Sequence, residues 1–152
     1  DHKPGGYGTI SLQEAFEKSS NIAIAKLIDE TFRENPQRFL DYLKTMGLTE
    51  PLGFQMIGEG KPKVPPLNQW SGITLPWMAY GYGLEFTPLQ ILTLYNAVAN
   101  NGKMIRPLLV KSIRQVDREI NTYKTSVISD QICSKETLKK SKSLILQCKF
   151  GS

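Results

Sequence analysis

Apolar positions along the chain fall into a few periodic runs separated by glycine- and proline-rich punctuation. After Gly5, Gly6 and Gly8, the residues Ser11 and Glu14 make the S-x-x-E pattern of a capping box. Leu12, Ala15 and Phe16 follow at helical spacing and predict a short first helix. Ile24, Leu27, Ile28 and Phe32 predict a second. Asn35 as N-cap and Pro36 at the first helical position open a third, with Phe39, Leu40, Leu43 and Met46 on its face and Gly47 as its stop. From Thr49 to Met78 prolines and glycines break every period, which predicts a long irregular segment pinned to the core by Trp70, Trp77 and Tyr80.

The period returns after Gly81-Tyr82-Gly83. Thr87 and Pro88 start a helix carrying Leu89, Ile91, Leu92, Leu94, Tyr95, Ala97, Val98 and Ala99. Apolar almost all round, it is expected to be the buried central helix, ended by Asn100-Asn101-Gly102. Met104–Ile113 and Glu119–Ile128 read as β, a hairpin or two edge strands, with the charged run Arg114–Arg118 between them. Ser134 caps a last helix through about Leu146.

One interruption does not fit simple amphipathicity. Between the first two helices stands Ser19-Ser20-Asn21, three residue types that prefer caps and turns to helix interiors. A plain interhelical break is one reading; a functional one needs Ser19 and Asn21 to act together. In a helix, positions i and i+2 point to different sides, whereas in an extended or turn segment they share one. The functional reading therefore predicts a kink or loop at residues 19–21, with both side chains entering one cleft.

Composition narrows the classes. The 152 residues are 40% hydrophobic and 22% charged, the mix of one folded domain rather than a disordered chain. The net charge of +5 is scattered, and its densest stretch (Lys135, Lys139, Lys140, Lys142) reads as a solvated helix face. A basic helical nucleic-acid binder is a weaker reading, and no nucleic-acid partner is expected. His2 is the only histidine, and no metal or cofactor site is expected. On one helix Cys133 and Cys148 would lie about 22 Å apart, too far for a disulfide. No apolar run approaches a membrane span and no secretory signal is present; the chain opens on Asp-His-Lys without an initiator Met, and so reads as a processed or excised piece.

The tripeptide stands in a larger order. "GGYGTISLQEAFEKSSNIAIAKLI" is followed by the Pro/Gly-rich stretch and then by "GYGLEFTPLQILTLYNAVANNGKMIRPLLVKSI". This order resembles the transpeptidase domain of class B penicillin-binding proteins over roughly residues 5–142. The resemblance implies an α+β, mainly helical, partial β-lactamase/transpeptidase-like fold, in one partial domain spanning 1–152. It implies a fragment of a peptidoglycan D,D-transpeptidase, a serine acyl-transfer enzyme, acting on the extracytoplasmic side of the membrane and held there only through an N-terminal anchor outside this chain. Peptidoglycan stem peptides and β-lactams are the implied partners. Ser19-Ser20-Asn21 is similar to that family's S-x-N motif. By resemblance the Ser19 hydroxyl relays a proton to the leaving amine, and the Asn21 amide hydrogen-bonds the substrate backbone and orients the catalytic lysine. Ser20 packs or caps.

The family's other two motifs are missing: no serine has lysine three residues on, and there is no K-T-G or K-S-G. Lys124-Thr125-Ser126 comes closest and reads as a strand or loop end. The nucleophile is expected upstream of Asp1 and the third motif downstream of Ser152, so the chain alone should be inactive. Residues 143–152 depart from the family pattern, as a shifted reading frame or an artificial junction would produce. Other readings are a non-catalytic penicillin-binding-like module that recognises peptidoglycan or a division partner, and a serine β-lactamase relative. Without the central sheet of the intact fold, exposed apolar surface and self-association are expected.

Overall fold

The computed structural model describes residues 4–55 and 57–148. His2 and the last residues of the divergent tail, 149–152, lie outside them. Among the described residues there are six α-helices, one 3-10 turn (Leu67–Gln69) and four short strands, and the chain divides into two compact units.

The first unit comprises the chain up to Tyr42, Lys63–Glu85 and the residues from Lys139 onward. Its first helix, α1, is Leu12–Glu17, and the expected capping box is formed. The Ser11 hydroxyl accepts from the Glu14 amide at 3.2 Å, and the Glu14 carboxylate accepts from the Ser11 amide at 2.9 Å. The second, α2, is Asn21–Phe32 and packs on α1. The third, α3, is Pro36–Thr45, and Phe32 meets Phe39 and Tyr42 edge-on, at 5.6 and 5.8 Å between ring centres. That cluster closes the α2–α3 corner with geometry that suits aromatic quadrupoles. The expected apolar faces are only partly covered: Ala15 is buried on α1, but Leu12, Phe16 and Leu27 are exposed.

Residues 63–85 are not wholly irregular. Lys63 and Glu85 exchange both backbone hydrogen bonds (2.9 and 3.0 Å) and pair through their side chains at 2.7 Å, clasping the two ends of the segment. Inside the clasp lies a five-residue helix, α4, Thr74–Met78, packed on α2. Periodicity hid it because Pro76 falls within it. Proline is tolerated there, because the amide it lacks is one that the first turn leaves unpaired in any case.

The second unit comprises Leu43–Pro62 and Phe86–Leu138. Here α5, Pro88–Ala99, has Thr87 as N-cap in a reciprocal capping box with Gln90. The four strands are β1 (Met104–Ile105), β2 (Ser112–Gln115), β3 (Arg118–Thr122) and β4 (Val127–Ser129). They nest as two antiparallel pairs, β2 with β3 inside β1 with β4. The expected hairpin is thus present, but its turn is only Val116-Asp117: Arg114 and Gln115 belong to β2 and Arg118 to β3. Ala97, Met104 and Ile132 form the buried centre of this unit, with Leu94, Val98, Ile128 and Cys133 packed around them. The Ser134 hydroxyl caps the last helix, α6 (Lys135–Gln147), accepting from the Thr137 amide at 3.1 Å.

One expectation about this unit is corrected. The α5 helix is not buried all round: Leu92 and Tyr95 are 64% and 53% exposed, while Gln90, Thr93 and Ala97 are buried. A helix apolar on every side needs cover on every side, and α5 packs chiefly on β1. The described part of the segment after α3 is irregular, as expected, and is held by side-chain hydrogen bonds. Glu59 accepts from the Leu52 and Gly53 amides, and Arg106 donates to the carbonyls of the same two residues. The Gln90 side chain donates to the Glu50 carbonyl at 3.0 Å. Lys124-Thr125-Ser126 is the loop between β3 and β4, where Ser126 accepts from Arg106. Cys133 and Cys148 are free thiols, and partial burial pushes the Cys133 thiol up.

Candidate active site

The Ser-Ser-Asn interruption is a joint between two helices, built without a single spare residue. Lys18 is the last residue of α1 in helical conformation. Ser19 then turns left-handed at φ +48°. Its amide donates to the Phe16 carbonyl (3.0 Å), and the Ser20 amide donates to the Ala15 carbonyl (2.9 Å). Those two bonds make a Schellman motif, the usual way of satisfying a helix's last carbonyls. Ser20, itself 2% exposed, is at once the N-cap of α2: its hydroxyl accepts from the Ala23 amide at 3.3 Å. Asn21 is the first residue of α2.

Three adjacent residues therefore have three local tasks, and the middle serine caps as expected. The break lies where the functional reading needs it. Ser19 is exposed on the turn, in a conformation that favours glycine. Asn21 lines a cleft of about 420 Å³ between α2 and α4. Ile22, Ala25, Lys26 and Asp29 line it from the α2 side, and Ile73, Pro76, Trp77 and Tyr80 from the α4 side. Ser19 is not among the residues that line it, so the expectation that both side chains enter one cleft is not met: the left-handed turn leaves Ser19 exposed outside it.

Two aromatic residues of this cleft carry a correction. Trp70 is half-buried and its indole N–H donates to the Pro65 carbonyl at 2.9 Å, as a pinning residue should. Trp77 and Tyr80 are 41% and 42% exposed and face the cleft instead of the core. The reason is the period of α4. Leu75 and Met78, three apart, are buried on one side, which turns Ile73, Pro76, Trp77 and Tyr80, at the complementary i, i+3, i+4, i+7 spacing, to the other. That spacing was present in the sequence, masked by Pro76.

The charges around the joint are paired. Lys18 lies 3.8 Å from Glu14 and 5.7 Å from the centre of the Tyr7 ring. The Ser11 amide and hydroxyl hold the Glu14 carboxyl below the usual carboxylate range, and Lys18 adds to this. Asp29 at the far rim of the cleft pairs with Arg33, whose basicity it raises. No three His, Cys, Asp or Glu side chains among the described residues are grouped to hold a metal ion. What the cleft offers is an amide at one end, an apolar slot beside it, and a serine hydroxyl on the neighbouring turn.

The capped helix, the Ser-Ser-Asn joint and the mixed helix-and-strand architecture are those of a transpeptidase-like fold, as the relatives show. The sequence profile of the penicillin binding protein transpeptidase domain matches residues 1–148, and the chain belongs to this family. It is 38% identical over 97 residues to penicillin-binding protein PbpB of Mycobacterium tuberculosis, covering 64% of this chain and 14% of that protein. It is 31% identical over 111 residues to the peptidoglycan D,D-transpeptidase FtsI of Escherichia coli K12, covering 73% of this chain and 18% of that protein. Among solved structures, penicillin-binding protein 3 of Mycobacterium tuberculosis complexed with aztreonam superposes with a TM-score of 0.76 at 29% identity, over 91% of this chain and 30% of that one. The chain thus spans less than a third of these relatives.

Proposed function

We propose that this chain carries the S-x-N part of a serine acyl-transfer site in a peptidoglycan D,D-transpeptidase acting outside the cytoplasmic membrane. Ser19 relays a proton to the leaving amine, and Asn21 binds the backbone of a stem peptide or the corresponding amide of a β-lactam. The observation that supports this reading most is the helix break itself: Ser19 closes α1 in a left-handed turn and Asn21 opens α2 beside a cleft, in a chain whose residues 1–148 match the transpeptidase family. An L-residue in the left-handed region costs about 1–2 kcal/mol, and Asn101 and Val116 carry the same conformation at other turns. Asn21, two residues on, reaches the cleft while Ser20 is consumed by capping, which separates the two chemical positions from the structural one.

The covalent step needs a nucleophile and an activating lysine that these 152 residues do not include as S-x-x-K. The reading therefore expects S-x-x-K upstream and K-T-G or K-S-G downstream in the coding DNA, in any of three frames. The test uses the protein encoded by that extended reading frame. Its rate of labelling by a fluorescent penicillin should fall about 100-fold or more in Ser19→Ala and in Asn21→Ala. The 152-residue chain alone should remain unlabelled. Labelling of both variants at the parent rate would overturn the assignment, as would an extended frame that lacks both motifs.

A further inference from the structure

The middle serine of the joint has no part in the relay, yet it is the one of the three that the fold encloses. We infer that Ser20 is a positioning residue, whose hydroxyl acts on substrate only through Asn21. This rests on the reading of Ser19 as proton relay and Asn21 as substrate-amide partner.

Ser20 is buried, whereas Ser19 and Asn21 are exposed on either side of it. Its backbone is shared between the two helices. The amide donates to the Ala15 carbonyl of α1 at 2.9 Å, and the carbonyl accepts from the Ile24 amide of α2 at 3.1 Å. The turn that holds Ser19 is made by main-chain groups of residues 15, 16, 19 and 20, which any side chain at position 20 would supply. The first turn of α2 is different, because the Ser20 hydroxyl caps it by accepting from the Ala23 amide at 3.3 Å. Asn21 is the first residue of that turn, and its direction into the cleft is set by the turn being formed. Without the hydroxyl the Ala23 amide loses its acceptor and the turn frays, which swings Asn21 away while Ser19 stays closed on α1. A frayed turn lowers the fraction of molecules ready to bind. Apparent affinity falls by that fraction, and the rate at saturation does not.

The test is the rate of labelling by a fluorescent penicillin, measured against penicillin concentration in the protein encoded by the extended reading frame. Ser20→Ala should raise the half-saturating concentration about fivefold, the size of one lost cap, and leave the limiting rate within about twofold of the parent. Ser20→Thr, which keeps the accepting oxygen, should restore the half-saturating concentration to within about twofold. Double variants separate positioning from simple support. Added to Ser19→Ala, the alanine should keep its effect of about fivefold; added to Asn21→Ala, it should change labelling by less than about twofold, because nothing is left to position. Ser20→Cys, which fills the same space with a weak acceptor, serves in every comparison if the alanine variant does not fold. An unchanged half-saturating concentration in Ser20→Ala, or an equal effect in both double variants, would overturn the role of Ser20. In either case a slow Asn21→Ala single variant would leave the Asn21 reading standing. Labelling of Asn21→Ala at the parent rate would overturn that reading, and the inference with it.

Discussion

Two helices in this chain end with the same pair of hydrogen bonds and different residues at the turn. The α3 helix closes on Gly47 at φ +70°, whose amide donates to Lys44, while the Leu48 amide donates to Leu43. The α1 helix closes on Ser19 at φ +48°, with the corresponding bonds to Phe16 and Ala15. At Gly47 there is no room for anything else: a Cβ would lie 2.7 Å from the sulfur of Met104, which is 1% exposed in the core of its unit. At Ser19 the side chain is exposed and the conformation alone opposes it. One terminus is shaped by packing. The other carries a hydroxyl that packing does not require, in a conformation that Asn101 and Val116 share at other turns.

Breaking the packed end should have the largest effect on stability. Gly47→Ser adds a left-handed penalty and displaces Met104, and should cost about 2 kcal/mol or more, read from the midpoint of urea unfolding. A cost under about 0.5 kcal/mol would mean that Met104 moves aside freely, and the contrast between the two termini would be lost. Next comes the shared residue of the joint. Ser20→Ala leaves the Ala23 amide without its cap and should cost about 1 kcal/mol by the same measurement.

The reciprocal change at the Ser19 end should act in the opposite direction. Ser19→Gly relieves a left-handed cost of about 1–2 kcal/mol and adds about 0.5–1 kcal/mol of glycine entropy, for a net gain of about 0.5 kcal/mol. A more stable variant that, in the extended protein, no longer reacts with penicillin would separate function from fold at one residue. A destabilised one would mean that the Ser19 side chain supports the joint itself.

The smallest effect concerns pH at the other end of α1. The folded state holds Glu14 below the ordinary glutamate range, so its contribution is full above that range and is lost as pH falls through the lowered value. The protection of the Ser11 and Glu14 amides, measured relative to their intrinsic exchange rates at each pH, should fall across that acid window, and Glu14→Gln should abolish this loss of protection. The accompanying Lys18–Glu14 pair is exposed and contributes little.

Much of this chain was legible from local pattern, because caps and helix stops act over three or four residues. The Ser11–Glu14 box, Thr87–Pro88, Ser134, the Gly47 stop and the break at Ser-Ser-Asn are all local hydrogen-bonding arrangements, and sequence spacing determines whether they can form. Exposure is different, since it depends on which distant segment covers a face. That α5 leaves Leu92 and Tyr95 uncovered, that Trp77 and Tyr80 turn toward a cleft, and that Arg106 reaches back to the carbonyls of Leu52 and Gly53 all follow from contacts across tens of residues. By itself the sequence determined the joint. Only the tertiary structure decided what faces it, because an apolar side chain is equally at home in a core or on a binding wall until its neighbours are placed.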